Sequence, residues 1–330
     1  MRFSKLFTVV MATIPAAGLA QTVGMAGLGY TSPVPVLGAP GQVVTLFLAG
    51  SDIAPPQALR ASGSTWPTSL GGLSVDILQE TTTLAAPIFE VRSLSTCPSQ
   101  ATPVASCGPL TAITIQIPFE ATVSTRQIVV NEGNQNLSTA DLSILPDHIH
   151  ILTSCDLFLA GTNAGAAGAL PCPAVVMHSN GTTVTGSNPA LAGEELVAYA
   201  VGLGQTQLPP TTGSPGALPS AVTAALALDF NFRPNALATR PTSVGTAVAP
   251  GFTVPPPPLF AGATPGFVGL YQVNFLVPSV PAGTPPCQIM GASSVFSNLT
   301  VSIGSANSYD GAGICVLPPV MFTSSAQETR

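Results

Sequence analysis

Lysine is almost missing from this sequence. Lys5 is the only one in 330 residues, and charged residues of all kinds make up 7% of the chain. That scarcity excludes classes of partner. Past the N-terminus the arginines are scattered from Arg60 to Arg330, so no cationic stripe exists to follow a phosphate backbone or an anionic membrane surface. Disorder is excluded by the same numbers, because unfolded segments combine high charge with low hydrophobicity and this chain is 46% hydrophobic. Beyond the first twenty residues no apolar run is long enough to span a bilayer as a helix. Helical periodicity is nearly absent, and so are the GxSxG elbow, HExxH, the P-loop, GxGxxG and the EF-hand loop. Glu194 and Glu195 are adjacent, so on a strand they face opposite sides and cannot flank one scissile bond. No cofactor is expected and no enzyme is indicated.

What the chain has in quantity is turn-forming residues. Glycine contributes 32 residues and proline 34, which suits short strands broken by tight turns. The N-terminus has the form of an export signal: Arg2 and Lys5 precede an apolar run from Leu6 to Ala17, and Gly18 and Ala20 are small residues at the positions a signal peptidase inspects. Cleavage after Ala20 is expected, leaving 6 arginines against 14 carboxylates, a net charge of 6 − 14 = −8. The product would be exported, either secreted or held in the periplasm or at the cell surface. Six cysteines fit an oxidising compartment. Of the possible connectivities, the sequential pairs Cys97–Cys107, Cys155–Cys172 and Cys287–Cys315 are favoured, since each closes a short loop. A loop of about 15 residues is worth about 3 kcal/mol. A zinc site is disfavoured because no CxxC pair exists and no cysteine has a histidine at ligand spacing.

Two halves of the chain read alike. Laying Gly41 on Gly193 aligns GQVVTLFLAG with GEELVAYAVG at an offset of 152, and laying Pro118 on Pro278 sets Thr111, Ile113, Ile115 and Ile117 over Tyr271, Val273, Phe275 and Val277 at an offset of 160. Asn136-Leu137-Ser138 falls on Asn298-Leu299-Thr300 at an offset of 162. Ordered matches with slowly growing offsets suggest a duplicated domain. Along Tyr271 to Val277 every second residue is apolar while Gln272 and Asn274 alternate with them, the period of a half-buried strand. The pattern recurs in LSVDIL, AALALDFNF and LTVSIG. The expected fold is all-β: two tandem immunoglobulin-like β-sandwich domains.

The run NPALAGEELVAYAVGLG, then a proline- and glycine-rich loop, FAGATPGFVGLYQVNFLVP and SNLTVSIG resembles the Solibacter-type (acidobacterial) uncharacterised C-terminal domain family of exported proteins. The resemblance covers roughly Ala174 to Val316, and Val36 to Ile144 as a degenerate copy. It implies an immunoglobulin-like β domain and carries over no catalytic residues. The expected organisation is a signal peptide at 1–20, a first sandwich at 21–146, a disulfide-pinned joint with a β-hairpin at 147–187, a second sandwich at 188–318 and a tail at 319–330. The hairpin turn is placed at Asn180-Gly181.

One cluster could carry chemistry. Asp147, His148 and His150 lie together in the joint, and His178 is the remaining histidine. On a strand His148 and His150 share a face, and the hairpin could bring His178 beside them as a metal site of three nitrogens and a carboxylate. The commoner role for such residues is that of surface or edge-strand histidines. The reading that follows is a non-enzymatic exported binding or structural module, presenting loops to a glycan, a cell-wall polymer or a protein. Nucleic acid and membrane insertion are excluded as partners, and self-association stays open. Its rivals are a metal-dependent hydrolase at the histidines and a self-assembling surface protein.

Overall fold

The computed structural model describes residues 24–29, 36–49, 53–94, 110–154, 156, 174–234, 257–281, 295–303 and 309–317. The expected signal peptide at 1–20, the expected tail at 319–330, the Gly/Ala-rich stretch at 161–169 and five of the six cysteines lie outside them. Among the described residues every regular element is a strand. The first half holds β1 (Gly24–Gly29), β2 (Leu37–Gly38), β3 (Val43–Ala49), β4 (Leu59–Arg60), β5 (Ser69–Leu70), β6 (Leu73–Gln79), β7 (Thr82–Ala86), β8 (Ile88–Leu94), β9 (Leu110–Gln116), β10 (Ser124–Glu132) and β11 (Gln135–Ile144). The second holds β12 (His150–Ile151), β13 (Val176–His178), β14 (Ala190–Leu191), β15 (Glu195–Val201), β16 (Ser220–Ala221), β17 (Leu226–Pro234), β18 (Phe260–Ala263), β19 (Tyr271–Leu276), β20 (Val295–Ile303) and β21 (Tyr309–Leu317).

The strands form four sheets. In the first half the orders are β1-β3-β9-β8-β4 and β2-β11-β10-β6-β5, with β7 beside β6; in the second they are β12-β15-β19-β18-β16, with β13 also on β15, and β14-β21-β20-β17. Each half has its own apolar core. Val44, Leu46, Leu48, Ile113 and Ile115 of one sheet meet Val75, Ile77, Ile128, Val130 and Leu142 of the other. Leu196, Ala198, Tyr271, Val273 and Phe275 likewise meet Phe230, Leu299, Val301 and Ile314. The alternation explains the choice of faces, because a strand with apolar residues at every second position buries one side at about 1.5–3 kcal/mol per large side chain.

Both halves repeat one hydrogen-bond pattern. The Gly41 N–H donates to the Ile117 carbonyl and the Ile117 N–H to the Gln42 carbonyl; the Gly193 N–H donates to the Val277 carbonyl and the Val277 N–H to the Glu194 carbonyl. Gly41 and Gly193 have φ of 78° and 81°, a left-handed turn that glycine enters without strain. Val43 then pairs Gln116 on β9 and Glu195 pairs Leu276 on β19, in keeping with the offsets of 152 and 160. The third match does not survive. Asn136 lies at the start of β11, the second strand of its hairpin with β10, whereas Asn298 lies on β20, the first strand of the hairpin with β21. The triplets Asn-Leu-Ser and Asn-Leu-Thr occupy different strands and are alike by composition alone.

The halves also differ. On β15 and β19 of the second half, outward residues such as Gln272 and Asn274 are half-buried. On β3, β9 and β8 both faces are closed: outward Thr45, Phe47, Thr114, Gln116 and Glu90 are all buried, beside inward Val44 and Ile113. Alternation in sequence shows two unlike faces; it does not show that a second layer covers the more polar one.

Candidate functional site

The three histidines do not converge. β12 and β13 both pair with β15, but His150 stands opposite Val201 and His178 opposite Leu196, five residues along the strand and so about 16 Å apart. No metal ion spans that distance. His150 Nε2 instead lies 3.0 Å from Asp156 Oδ2, and Asp156 also accepts the Thr153 N–H and hydroxyl at 2.9 and 3.2 Å. His148 turns to Gln42, its Nδ1 3.3 Å from Gln42 Nε2. His178 Nδ1 is 2.5 Å from Glu194 Oε1 and its Nε2 3.2 Å from the Asn188 carbonyl oxygen. Asp147 is half-buried and joins none of these pairs. Among the described residues no group of three His, Cys, Asp or Glu side chains is placed to hold a metal. The expected ligand set of Asp147, His148, His150 and His178 is therefore dispersed.

The chain does reverse at Asn180-Gly181. The Gly181 N–H donates to the His178 carbonyl and the His178 N–H to the Thr182 carbonyl. Asn180 Oδ1 caps the turn by accepting the Thr182 N–H and hydroxyl at 2.9 and 2.7 Å. Cys315, buried on β21, is disulfide-bonded; the other cysteines, and with them the three expected pairings, fall outside the described residues.

Two histidines are held by one device used twice. Gln42 follows the turn glycine of the first half, and its Oε1 accepts the Ala39 N–H at 2.8 Å while Nε2 donates to the His148 carbonyl at 2.9 Å. Glu194 follows the turn glycine of the second half, and its Oε2 accepts the Leu191 N–H at 2.9 Å while Oε1 takes His178. In each half a side chain closes its own turn and ties down a segment of the joint. Burial would push the Glu194 carboxyl up, but the hydrogen bonds from His178 and the Leu191 N–H, with the charge of His178, outweigh it and hold the group below its usual value. The motif was visible in advance as Gln42 over Glu194 in the aligned turns.

Around Gln42 the two halves meet in a polar seam. A long loop after β15, residues 202–219, reaches across to the first half. The His148 N–H donates to the Gly202 carbonyl, and the Trp66 N–H to the Gly213 carbonyl. Buried Gln116 accepts the Gly213 N–H at 2.7 Å and donates to the Gly41 carbonyl at 3.2 Å. Gln205 Nε2 donates to the Phe119 carbonyl at 2.8 Å, and the Phe119 N–H to Thr212 Oγ1 at 3.0 Å. Beneath these bonds Val43, Leu152 and Val201 form a small apolar cluster with Trp66, Val175, Tyr199 and Leu270 packed on it. Chemically this is adhesion: amides and hydroxyls matched to backbone groups, which fix an orientation because each buried donor needs its acceptor. The side chains that reach backbone groups across it, Gln42, Gln116, Gln205 and Thr212, are uncharged, so no charge pattern advertised them.

A second polar group lies on β8. Glu90, 1% exposed, accepts Arg60 Nε at 2.8 Å on one oxygen and Arg92 Nη2 at 2.5 Å on the other. The Trp66 ring packs tilted by 34° against Phe89 with centroids 4.9 Å apart, and the Arg60 guanidinium lies 5.8 Å from the Phe89 centroid.

Among the described residues the fold is all-β, in four sheets. No protein-family model and no curated protein matches the chain. Among solved structures the chain is similar to the Salmonella alpha-2-macroglobulin reacted with methylamine, at 12% identity and a TM-score of 0.20, over 95% of this chain and 16% of that one. The chain thus spans about a sixth of that protein's length, and at that TM-score the likeness carries no argument.

Proposed function

We propose that this chain is an exported, non-enzymatic binding module, made of two tandem immunoglobulin-like β-sandwich domains and related to the Solibacter-type family that its second half resembles. The observation that carries this reading is the seam. Gln42, Gln116, Gln205 and Thr212 bind backbone groups across it, and such matched bonds hold two units as one body instead of as beads on a linker. A pre-set orientation lowers the entropic cost of binding an extended ligand at two places. The repeated turn-and-strand pattern supports duplication, and loops at the ends of the sheets supply contact surface for a glycan, a cell-wall polymer or a protein. The three histidines then serve as ties within the joint. The test is a glycan array and a cell-wall pull-down with the exported chain, repeated with the His148→Ala/His150→Ala variant. Retention by one ligand class, equal in the variant once folding is matched, is the expected result. A hydrolytic activity that disappears in the variant while the fold persists would overturn it in favour of an enzyme.

A further inference from the structure

His178 ends β13 in a buried position, 7% exposed, with an oxygen against each of its ring nitrogens. Nδ1 faces Glu194 Oε1 at 2.5 Å and Nε2 faces the Asn188 carbonyl oxygen at 3.2 Å. A carboxylate and a carbonyl only accept, so both contacts are hydrogen bonds only while each nitrogen carries a proton. A neutral imidazole has one N–H and turns a bare lone pair on the other oxygen. His148 shows the opposite case. Its Nδ1 faces Gln42 Nε2, a donor whose orientation is fixed by the bonds of the same amide to the Ala39 N–H and the His148 carbonyl, so that nitrogen accepts and carries no proton. One turn position, Gln42 or Glu194, thus sets opposite demands on a histidine in the two halves.

What His178 holds is the tip of the joint hairpin. Asn188, whose carbonyl meets the ring, donates through Nδ2 to Thr182 Oγ1 at 3.0 Å and to the Thr183 carbonyl at 3.1 Å. Residues Ser179 to Thr183 are exposed, so little burial holds them, whereas Val176 and Val184 beneath them belong to the core. No charged residue occurs between His178 and Glu194, and β15 sets apolar Leu196 opposite His178. Glu195, the adjacent carboxylate, has its Oε1 3.5 Å from Asn274 Nδ2. Among the described residues Glu194 is therefore the titratable group bonded to the ring. Burial pushes its carboxyl up, but the bonds from His178 and the Leu191 N–H and the charge of His178 hold it below its usual value, which keeps it an acceptor in mild acid.

We propose that Glu194, His178 and Asn188 form a pH-sensitive latch on the joint hairpin, closed while His178 is an imidazolium and released when it becomes a neutral imidazole. The Nδ1 proton stays with the charged partner and the Nε2 proton leaves to solvent. The bare Nε2 then opposes the Asn188 carbonyl, and Asn188 withdraws its amide from Thr182 and Thr183. Closure is complete at lower pH and is lost as pH rises, the reverse of the dependence that the Glu194 carboxyl has on its own. The inference is independent of the ligand-binding reading, since the seam's glutamine bonds do not pass through His178.

Long-range 1H–15N spectra of the histidine rings and amide hydrogen exchange of the full chain, from about pH 5 to about pH 9, test it. At the acidic end both ring nitrogens of His178 should be protonated. As pH rises, loss of the second proton should coincide with a fall of at least about tenfold in the protection factors of the His178 and Gly181 amides, while those of β20 stay unchanged. Glu194→Gln places an amide where Gln42 has one, able to donate to Nδ1 of a neutral His178, and should abolish this step with unchanged far-UV circular dichroism. A His178 with one bare ring nitrogen across the whole range, hairpin protection that stays flat while the proton leaves, or a step that survives in Glu194→Gln overturns the proposal. The first two outcomes are read on the unaltered chain and decide it even where the variant does not fold.

Discussion

At the scale of the residue, Thr111 is one of four residues among those described, with Arg126, Thr206 and Thr264, whose buried side-chain polar atom lacks a hydrogen-bond partner, and Glu194 carries a pH dependence. Thr111 is fully buried at the position where the second half has Tyr271. The Tyr271 hydroxyl donates to the Gly204 carbonyl at 2.6 Å, whereas Thr111 Oγ1 has no hydrogen-bond partner among the described residues. Valine has the shape of threonine without the hydroxyl. Thr111→Val should therefore raise unfolding stability by about 1 kcal/mol, read as a higher denaturant midpoint. A lower midpoint would show that the hydroxyl is satisfied. Glu194 behaves oppositely. Because its carboxyl is held below the usual value of 4.5, its contribution is present in full above that value and is lost as pH falls through the lower folded value. Glu194→Gln removes the charge and keeps the shape. At pH 6 it should cost about 1.5–3 kcal/mol, the worth of a hydrogen bond to a charged group. Thermal melts between pH 6 and pH 3 should show the gap between variant and parent closing on acidification. A constant gap would assign the effect to packing.

At the scale of the element, the strands of alternating apolar residues were the most legible part of the sequence. The period-2 run Tyr271, Val273, Phe275 and Val277 is buried as its alternation implied, and so is Thr111, Ile113, Ile115 and Ile117. Legibility stopped where a second cause intervened. Thr114 and Gln116 have the polarity of an outward face, yet both are buried, Gln116 against the loop whose Gly213 N–H it accepts and Thr114 with its hydroxyl paired to that of Thr45. Contacts between layers leave no period in either strand. The histidines failed for a similar reason: a shared face can be read from spacing, but the position of β12 and β13 along β15 depends on register, and five residues of register separate a ligand set from three unrelated pairs. Phe275 is the clearest handle on the strand itself. It is 1% exposed and its ring lies 5.7 Å from that of Phe230 on the opposite sheet. Phe275→Ala should cost about 3–5 kcal/mol, and Gln272→Ala on the other face less than about 1 kcal/mol. Urea titrations of the two variants decide it, and equal costs would mean that the strand's register is wrong.

At the scale of the whole molecule the question is whether two cores unfold as one. Each half has its own apolar cluster, so each could open alone unless the seam contributes enough to couple them. The seam's bonds are individually worth about 1 kcal/mol, and five or six of them with a small apolar cluster match a large part of a domain's stability of about 5–15 kcal/mol. One cooperative transition is therefore expected. Trp66, the single tryptophan of the chain, reports on it directly, since its N–H is bonded to Gly213 and its ring packs in the seam cluster. Tryptophan fluorescence and far-UV circular dichroism should trace the same denaturant curve. Gly202 offers the means to separate them. Its φ is 76°, and a Cβ there would collide with the carbonyl group of His148. Gly202→Ala should thus cost on the order of 1–3 kcal/mol, nearly all of it at the seam. In that variant the fluorescence change should come at lower denaturant than the loss of strand signal, because Trp66 is released before either core opens. If the two probes still coincide at the parent's midpoint, the seam does not couple the halves, and the single rigid body behind the proposed binding function goes with it.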